Sequence, residues 1–191
     1  DGTNASIYIA AAREVGVEGI PATCPEAIFQ EKYALAFDAF MEGVVNPTGR
    51  FIVAGSRNRW LTIDDDNAGF AKWVKENAAQ LFQLDCGHHF GEWWGKGIQR
   101  GYNQDRKRFS LFNVTRWKKE LLPDILDVVP ILYSGDFTTD TINDTMAKLS
   151  QGGSVAAPGF MRPEGIVVYH AQGNVMFKKT FENDIEGKGN G

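Results

Sequence analysis

The stretch DGTNASIYIA, residues 1–10, joins a turn to a strand within ten positions. Asp, Gly and Asn tolerate positive φ or bond their own backbone, so DGTN is turn chemistry. ASIYIA then alternates, with Ile7 and Ile9 on one face and Ser6 and Tyr8 on the other, the period of a half-buried strand. A chain ordinarily opens on Met or on a loose tail. One that opens inside a tight turn leads us to expect that residues before Asp1 carry part of the chemistry.

Outward from this strand, placed over 5–12, the pattern changes often. Residues 13–25 read as loop, with two Gly and two Pro. Residues 25–43 hold good helix formers and stop at Gly43, which predicts a helix. Residues 50–63 read as two short strands around a turn. Residues 64–84 are the clearest helix, with Asp and Asn at its start and Phe70, Trp73, Val74, Ala78 and Leu81 at helical spacing. HHFGEWWG and RFSLFNVTRW read as strands, residues 117–127 as a short helix, and DVVPILYSGDF as a strand and turn. TTDTINDTMAKLSQGG is a capped helix ending at Gly152, and GIVVYH with NVMFKKTFE forms a strand pair around Gly173. Paired strands with interspersed helices and no βαβ rhythm predict an α+β fold with antiparallel sheets. Residues 1–184 form one domain in this reading, and 185–191 a disordered tail.

Composition narrows the function. A length of 191 residues suits one sizeable core. Cys24 and Cys86 are too few and too far apart for a disulfide framework or a metal site, which favours a reducing, cytoplasmic setting. No apolar run approaches the ~20 residues that span a bilayer. The net charge of −4 argues against a protein that coats nucleic acid throughout. Yet from Lys96 to Lys119 eight Lys and Arg face one acid, Asp105. Such a stripe either tracks a phosphate backbone or forms a solvated hairpin balanced by acids elsewhere. His88, His89 and His170 lack companions at metal-ligand spacing and read as packing or surface groups. Trp93 and Trp94 read as wall and core.

Chemistry-bearing stretches come in a fixed order: DGTNAS, FGEWWG, FSLFN, EGIVV and MFKKT. Together they resemble the covalent nucleotidyltransferases, the superfamily of ATP-dependent RNA ligases, DNA ligases and mRNA capping enzymes. The G-T-N continuation is most similar to RNA ligases of the phage type that joins nicks in duplex RNA. The resemblance implies an ATP-grasp-like ligase adenylation fold, with antiparallel sheets flanking a nucleotide pocket. It implies a lysine two positions before Asp1 as the nucleophile, forming a lysyl-AMP from ATP and passing the AMP to a 5′-phosphate RNA end, which a 3′-OH then seals. Asp1, Gly2, Thr3 and Asn4 then contact the nucleotide. Arg57 binds phosphate or ribose, with Arg59 as the register alternative. Glu92 contacts the ribose or a metal-bound water, Phe112 sandwiches the purine, and Glu164 is the metal-site acid. Lys178 and Lys179 compete for the α-phosphate. Mg²⁺ or Mn²⁺ would be held by Glu164 and Glu92, and the working unit would be a monomer, in RNA repair, away from membranes.

In VMFKKTF, Lys179 shares a face with Val175, Phe177 and Phe181, the face expected to pack on the body of the fold. Lys178 shares the other with Thr180, which favours Lys178 for the phosphate. The sequence departs from the family where Tyr169 replaces a frequent lysine, Thr180 a second lysine, and Asn113 an aspartate. No OB-like segment follows the fifth motif, so a nucleic-acid clamp is expected elsewhere or not at all. A DNA ligase, a GTP-using capping enzyme and a non-catalytic nucleic-acid-binding module remain the alternative readings.

Overall fold

Alternation along the first strand organises the whole molecule. A computed structural model describes residues 2–11, 33–38 and 50–181. Strand β1, Thr3–Ala11, lies between β3, Arg50–Ser56, and β4, Gly87–Gly95, antiparallel to both. Ala5, Ile7 and Ile9 face one side, where Ile52, Ala54, Trp93, Phe109 and Leu111 join them in the main core. Helices α1, Phe70–Glu76, and α2, Ala78–Leu81, close that side with Phe70, Val74 and Leu81, each fully buried. Burying one such large side chain contributes roughly 1.5–3 kcal/mol. The opposite face of the sheet carries Asn4, Ser6, Tyr8, Phe90 and Glu92.

The sheet continues through β2, Ala36–Phe37, on one edge and β5, Lys107–Leu111, and β6, Leu126–Val128, on the other, in the order β2-β3-β1-β4-β5-β6. A separate hairpin of β7, Gly165–His170, and β8, Val175–Thr180, packs Ile166 and Val168 on Met146 and Leu149 of α3, Thr139–Gly152. Thr138 caps α3 by accepting the Thr141 backbone N–H at 3.1 Å.

Several expectations are corrected. The sheet is mixed, because β6 runs parallel to β5. Of the helix expected over 25–43, residues 25–32 and 39–43 lie outside the described residues, as does the loop expected over 13–25. Within it Ala36 and Phe37 are extended and pair with Ile52 and Phe51. The helix over 64–84 starts later and breaks at Asn77, whose φ is −110°. The Asp66 carboxylate accepts the N–H groups of Ala71 and Lys72 at 2.8 and 3.1 Å and so caps the first piece. Residues 50–63 form one strand and an isolated bridge between Gly55 and Trp60. Strand β5 ends at Leu111 because the Asn113 side chain accepts the Arg116 N–H at 2.9 Å, turning the chain. The helix over 117–127 is a single 3-10 turn, Lys119–Leu121, followed by β6; Pro123, which has no N–H, prevents its extension. The expected tail over 185–191 lies outside the described residues.

His89 is 2% exposed, donates Nε2–H to the Asp85 carbonyl at 2.7 Å, and leaves Nδ1 buried without a partner. Burial pushes its pKa below the ordinary histidine value, against the pull of the bond to Asp85. The folded state therefore binds fewer protons than the unfolded one, and stability falls as pH drops from about 6.5 through the lower folded value. Urea unfolding measured between pH 8 and pH 5 should show this loss, and His89→Leu should flatten it; an unchanged slope in that variant would assign the loss to other groups.

Candidate active site

Asn4 and Glu92 are register partners across β1 and β4, so both side chains stand on the open face of the sheet. Ser6 and Phe90 form the next pair on that face. Just beyond β5, the Phe112 N–H donates to the Phe90 carbonyl at 3.0 Å, which carries the pairing one step further and sets Phe112 beside Phe90. Both rings are open to solvent, Phe112 at 39% and Phe90 at 56% exposure, so neither is a core aromatic. Asn4, Ser6, Ser56, Arg57 and Phe90 line a pocket of about 130 Å³. Arg57 has no ion-pair or hydrogen-bond partner among the described residues. Its register alternative, Arg59, is committed elsewhere: it bonds the Asp65 carboxylate at 2.5 Å and two backbone carbonyls, bracing the turn before α1.

The hairpin brings the other acid. Glu164 immediately precedes β7, and Lys178 on β8 reaches it with Nζ 2.6 Å from Oε1. Gly165 follows Glu164 at φ 154°, and a Cβ there would lie 2.0 Å from the Lys179 carbonyl oxygen. Only glycine lets the two strands approach this closely at the acid, which explains the E-G pair physically. The Glu164 N–H donates to the Tyr102 hydroxyl at 3.3 Å, and Trp94, Tyr102, Ala157 and Phe160 pack together, tying this segment to the end of β4. Arg100 adds a bond to the Arg162 carbonyl at 3.2 Å.

The two acids sit in different environments. Burial raises the Glu92 pKa above the ordinary carboxylate value, and the Glu164 charge adds to the rise. A hydrogen bond from the Gly2 backbone and the Lys178 charge oppose it. For Glu164, partial burial acts upward, but the bond and charge of Lys178, together with the charge of the chain's amino terminus, hold the carboxyl below its ordinary value. The mutual influence means that Glu92, Glu164 and Lys178 share one electrostatic site.

Lys179 is elsewhere. Its ammonium donates to the Asn143 side chain of α3 at 3.0 Å, on the far side of the hairpin. The expectation that its face packs tightly needs correction. Val175 and Phe177 are 43% and 50% exposed, because α3 covers only the Phe181 end of the strand while Phe177 rests on the Phe137 ring.

Thr3 accepts a bond from the Asn67 side chain at 3.2 Å and points toward α1, away from Asn4. Asp1 lies outside the described residues. Among the described residues no three His, Cys, Asp or Glu gather as a ligand cluster. Sequence reasoning missed Tyr102, Gln99 and Ser56. Gln99 donates to the Gly2 carbonyl and Tyr102 supports Glu164, and both belong to the Gly-rich GKGIQRGY turn, whose signal was present but assigned no role.

The family described as RNA ligase matches residues 1–180, a span that holds every candidate above. No curated protein and no solved structure matches the chain.

Gly2 is a second point of close approach in the site. A Cβ there would stand 2.6 Å from the Trp93 carbonyl oxygen and 3.0 Å from Glu92 Cγ. Gly2→Ala should therefore displace Glu92 and the start of β1, lowering the thermal midpoint by several degrees and nucleotide affinity together. Wild-type values for both would show that the strand shifts without strain.

Proposed function

The chain belongs to the RNA ligase family, and we propose that it acts as the adenylyltransferase domain of an ATP-dependent RNA ligase with a nucleotidyltransferase fold. The observation that carries this reading is the convergence of Glu92, Glu164 and Lys178 from separate strands beside the pocket of Asn4 and Arg57. Phosphoryl transfer needs this kind of set: cations to neutralise phosphate oxygens, and carboxylates to orient sugar and metal.

In the proposed reaction a lysine amine two positions before Asp1 attacks the α-phosphorus of ATP. A P–N bond forms, the bond to the β-phosphate oxygen breaks, pyrophosphate leaves and the amine loses its proton. Lys178 neutralises the α-phosphate as charge develops. Arg57 and Asn4 hold phosphate or ribose at the sheet face, and Glu92 accepts from the ribose. Phe112 stacks on the purine. The AMP then passes to an RNA 5′-phosphate, and attack by a 3′-OH on that phosphate forms the new phosphodiester and releases AMP. Mg²⁺ suits this donor set, because it binds through one or two carboxylates together with substrate phosphates; Glu164 and Glu92 are the residues that would hold it. Bound there, it would supply charge neutralisation at the phosphates.

Lys178→Ala should abolish labelling of the full-length protein by radiolabelled ATP, whereas Lys179→Ala should keep it. The opposite result would move the role to Lys179. Glu92→Ala and Glu164→Ala should each cut ligation by at least ~100-fold while the fold survives, in line with losing one electrostatic contact in a water-poor site. Steady-state kinetics on Phe112→Ala should show the ATP KM rising on the order of tenfold, since stacking on a base is worth roughly 1–3 kcal/mol. An unchanged KM would remove Phe112 from the site.

A further inference from the structure

On the side of the sheet opposite Glu92, a groove of about 390 Å³ opens between α1 and the β4–β5 hairpin. Gly69, Lys72, Trp73, Glu76, Arg106 and Lys107 line it, with the Trp93 indole at its base. Three cations face one acid, so the groove is positive by two charges. The cations are not consumed by pairing. The Arg106 guanidinium has no ion-pair or hydrogen-bond partner among the described residues. Lys72 meets Glu76 only at 3.9 Å, with both side chains largely exposed, a contact of little strength. Lys107 is positioned rather than neutralised: its ammonium donates to the Ala68 carbonyl at 2.7 Å, an oxygen that also accepts the Trp93 indole N–H at 3.1 Å.

We propose that this groove is a second RNA contact, which takes the phosphate backbone of the substrate strand running away from the site of chemistry. The inference rests on the reading of the chain as an RNA ligase. Cations beside an indole wall are what a single strand or a duplex edge requires, phosphates on the Lys and Arg groups and sugar or base against Trp73. The groove adjoins the strand that carries Glu92, since Trp93 of β4 belongs to its lining. Part of the basic stripe from Lys96 to Lys119 thereby receives a task. The rest of it is bound within the fold, as Arg108 and Lys119 are to Asp127 and Arg116 to Asp85.

The test compares three variants of equal charge change in the full-length protein: Lys72→Glu and Arg106→Glu in the groove, and Lys148→Glu on the exposed side of α3. Fluorescence anisotropy with a labelled nicked RNA duplex, over a range of salt concentrations, gives affinity and salt slope, and labelling by ATP is measured in parallel. The groove variants should each bind RNA about tenfold more weakly and lower the salt slope by roughly one. Lys148→Glu should change neither, and ATP labelling should stay at the wild-type level in all three. RNA affinity and slope unchanged in the groove variants, or an equal loss in Lys148→Glu, would overturn the groove. Competition of RNA from wild-type protein by inorganic phosphate or AMP, relieved by the groove mutations, would overturn it too, in favour of a small-anion pocket. A wild-type protein that neither takes label from ATP nor binds RNA would instead overturn the ligase reading on which the proposal rests.

Discussion

Everything at the candidate site depends on the register of β1 against β4. Side chains alternate along a strand, so a slip of one residue would exchange the two faces of the sheet. In the observed register Asn4 lies opposite Glu92 and Ser6 opposite Phe90 on the open face, while Ile7 and Ile9 enter the core. A slip of β1 by one residue would expose Ile7 and Ile9 and turn Asn4, Ser6 and Tyr8 into the core, where their polar groups would lose water without gaining partners. Local bonds hold the register at its end. Gly2 fits against the Trp93 carbonyl with no room for a side chain, Gln99 bonds the Gly2 carbonyl, and Asn67 bonds Thr3. The turn chemistry of DGTN thus serves a packing constraint as well as any contact with a nucleotide.

The hairpin completes the electrostatics that this register begins. Glu92 and Glu164 are the same chemical group, yet burial raises one and Lys178 lowers the other. A pair of carboxyls driven apart in this way can perform different tasks at one pH. The separation depends on the choice of face at β8. Lys178 turns toward Glu164 while Lys179, one residue on, turns to Asn143 on α3. Two adjacent lysines of equal charge are divided by strand geometry into one that belongs to the acids and one that fastens the hairpin to its helix.

Much of this was legible in the sequence, and the reasons differ by element. β1, β4, β7 and β8 announce themselves because one face of each is apolar or tightly paired and the alternation is clean. The capped start of α3 was equally plain. The failures share a cause: tertiary contacts override weak local signals. Ala36 and Phe37 sit among helix formers, yet the free edge of β3 captures them as strand. Residues 117–127 contain good helix formers, but Pro123 stops propagation and β5 offers Leu126–Val128 a parallel partner. Asn77 interrupts a periodic helix without spoiling its apolar spacing, so periodicity alone could not reveal the break. At the site, acids and lysines were visible as types in order. The supporting groups were not, because Tyr102 and Gln99 act from a turn whose backbone conformation no spacing rule encodes. Tyr102 itself has a φ of 50°, a left-handed conformation disfavoured for a residue with a Cβ and held here by the packing of its ring on Trp94 and Phe160.

The two faces of the sheet also explain why a positive groove can coexist with an acidic site in a chain whose net charge is −4. Glu92 and Glu164 would repel an RNA backbone that approached them without a counter-field. Near these acids Lys178 is already engaged by Glu164 at 2.6 Å. Cations less engaged than this lie on the other side of the sheet, where Lys72, Arg106 and Lys107 line one groove. Lys107 stands there with its ammonium on the Ala68 carbonyl, which also accepts the Trp93 indole N–H. One carbonyl oxygen therefore links β4, the strand that carries Glu92, to the placement of charge on its reverse side.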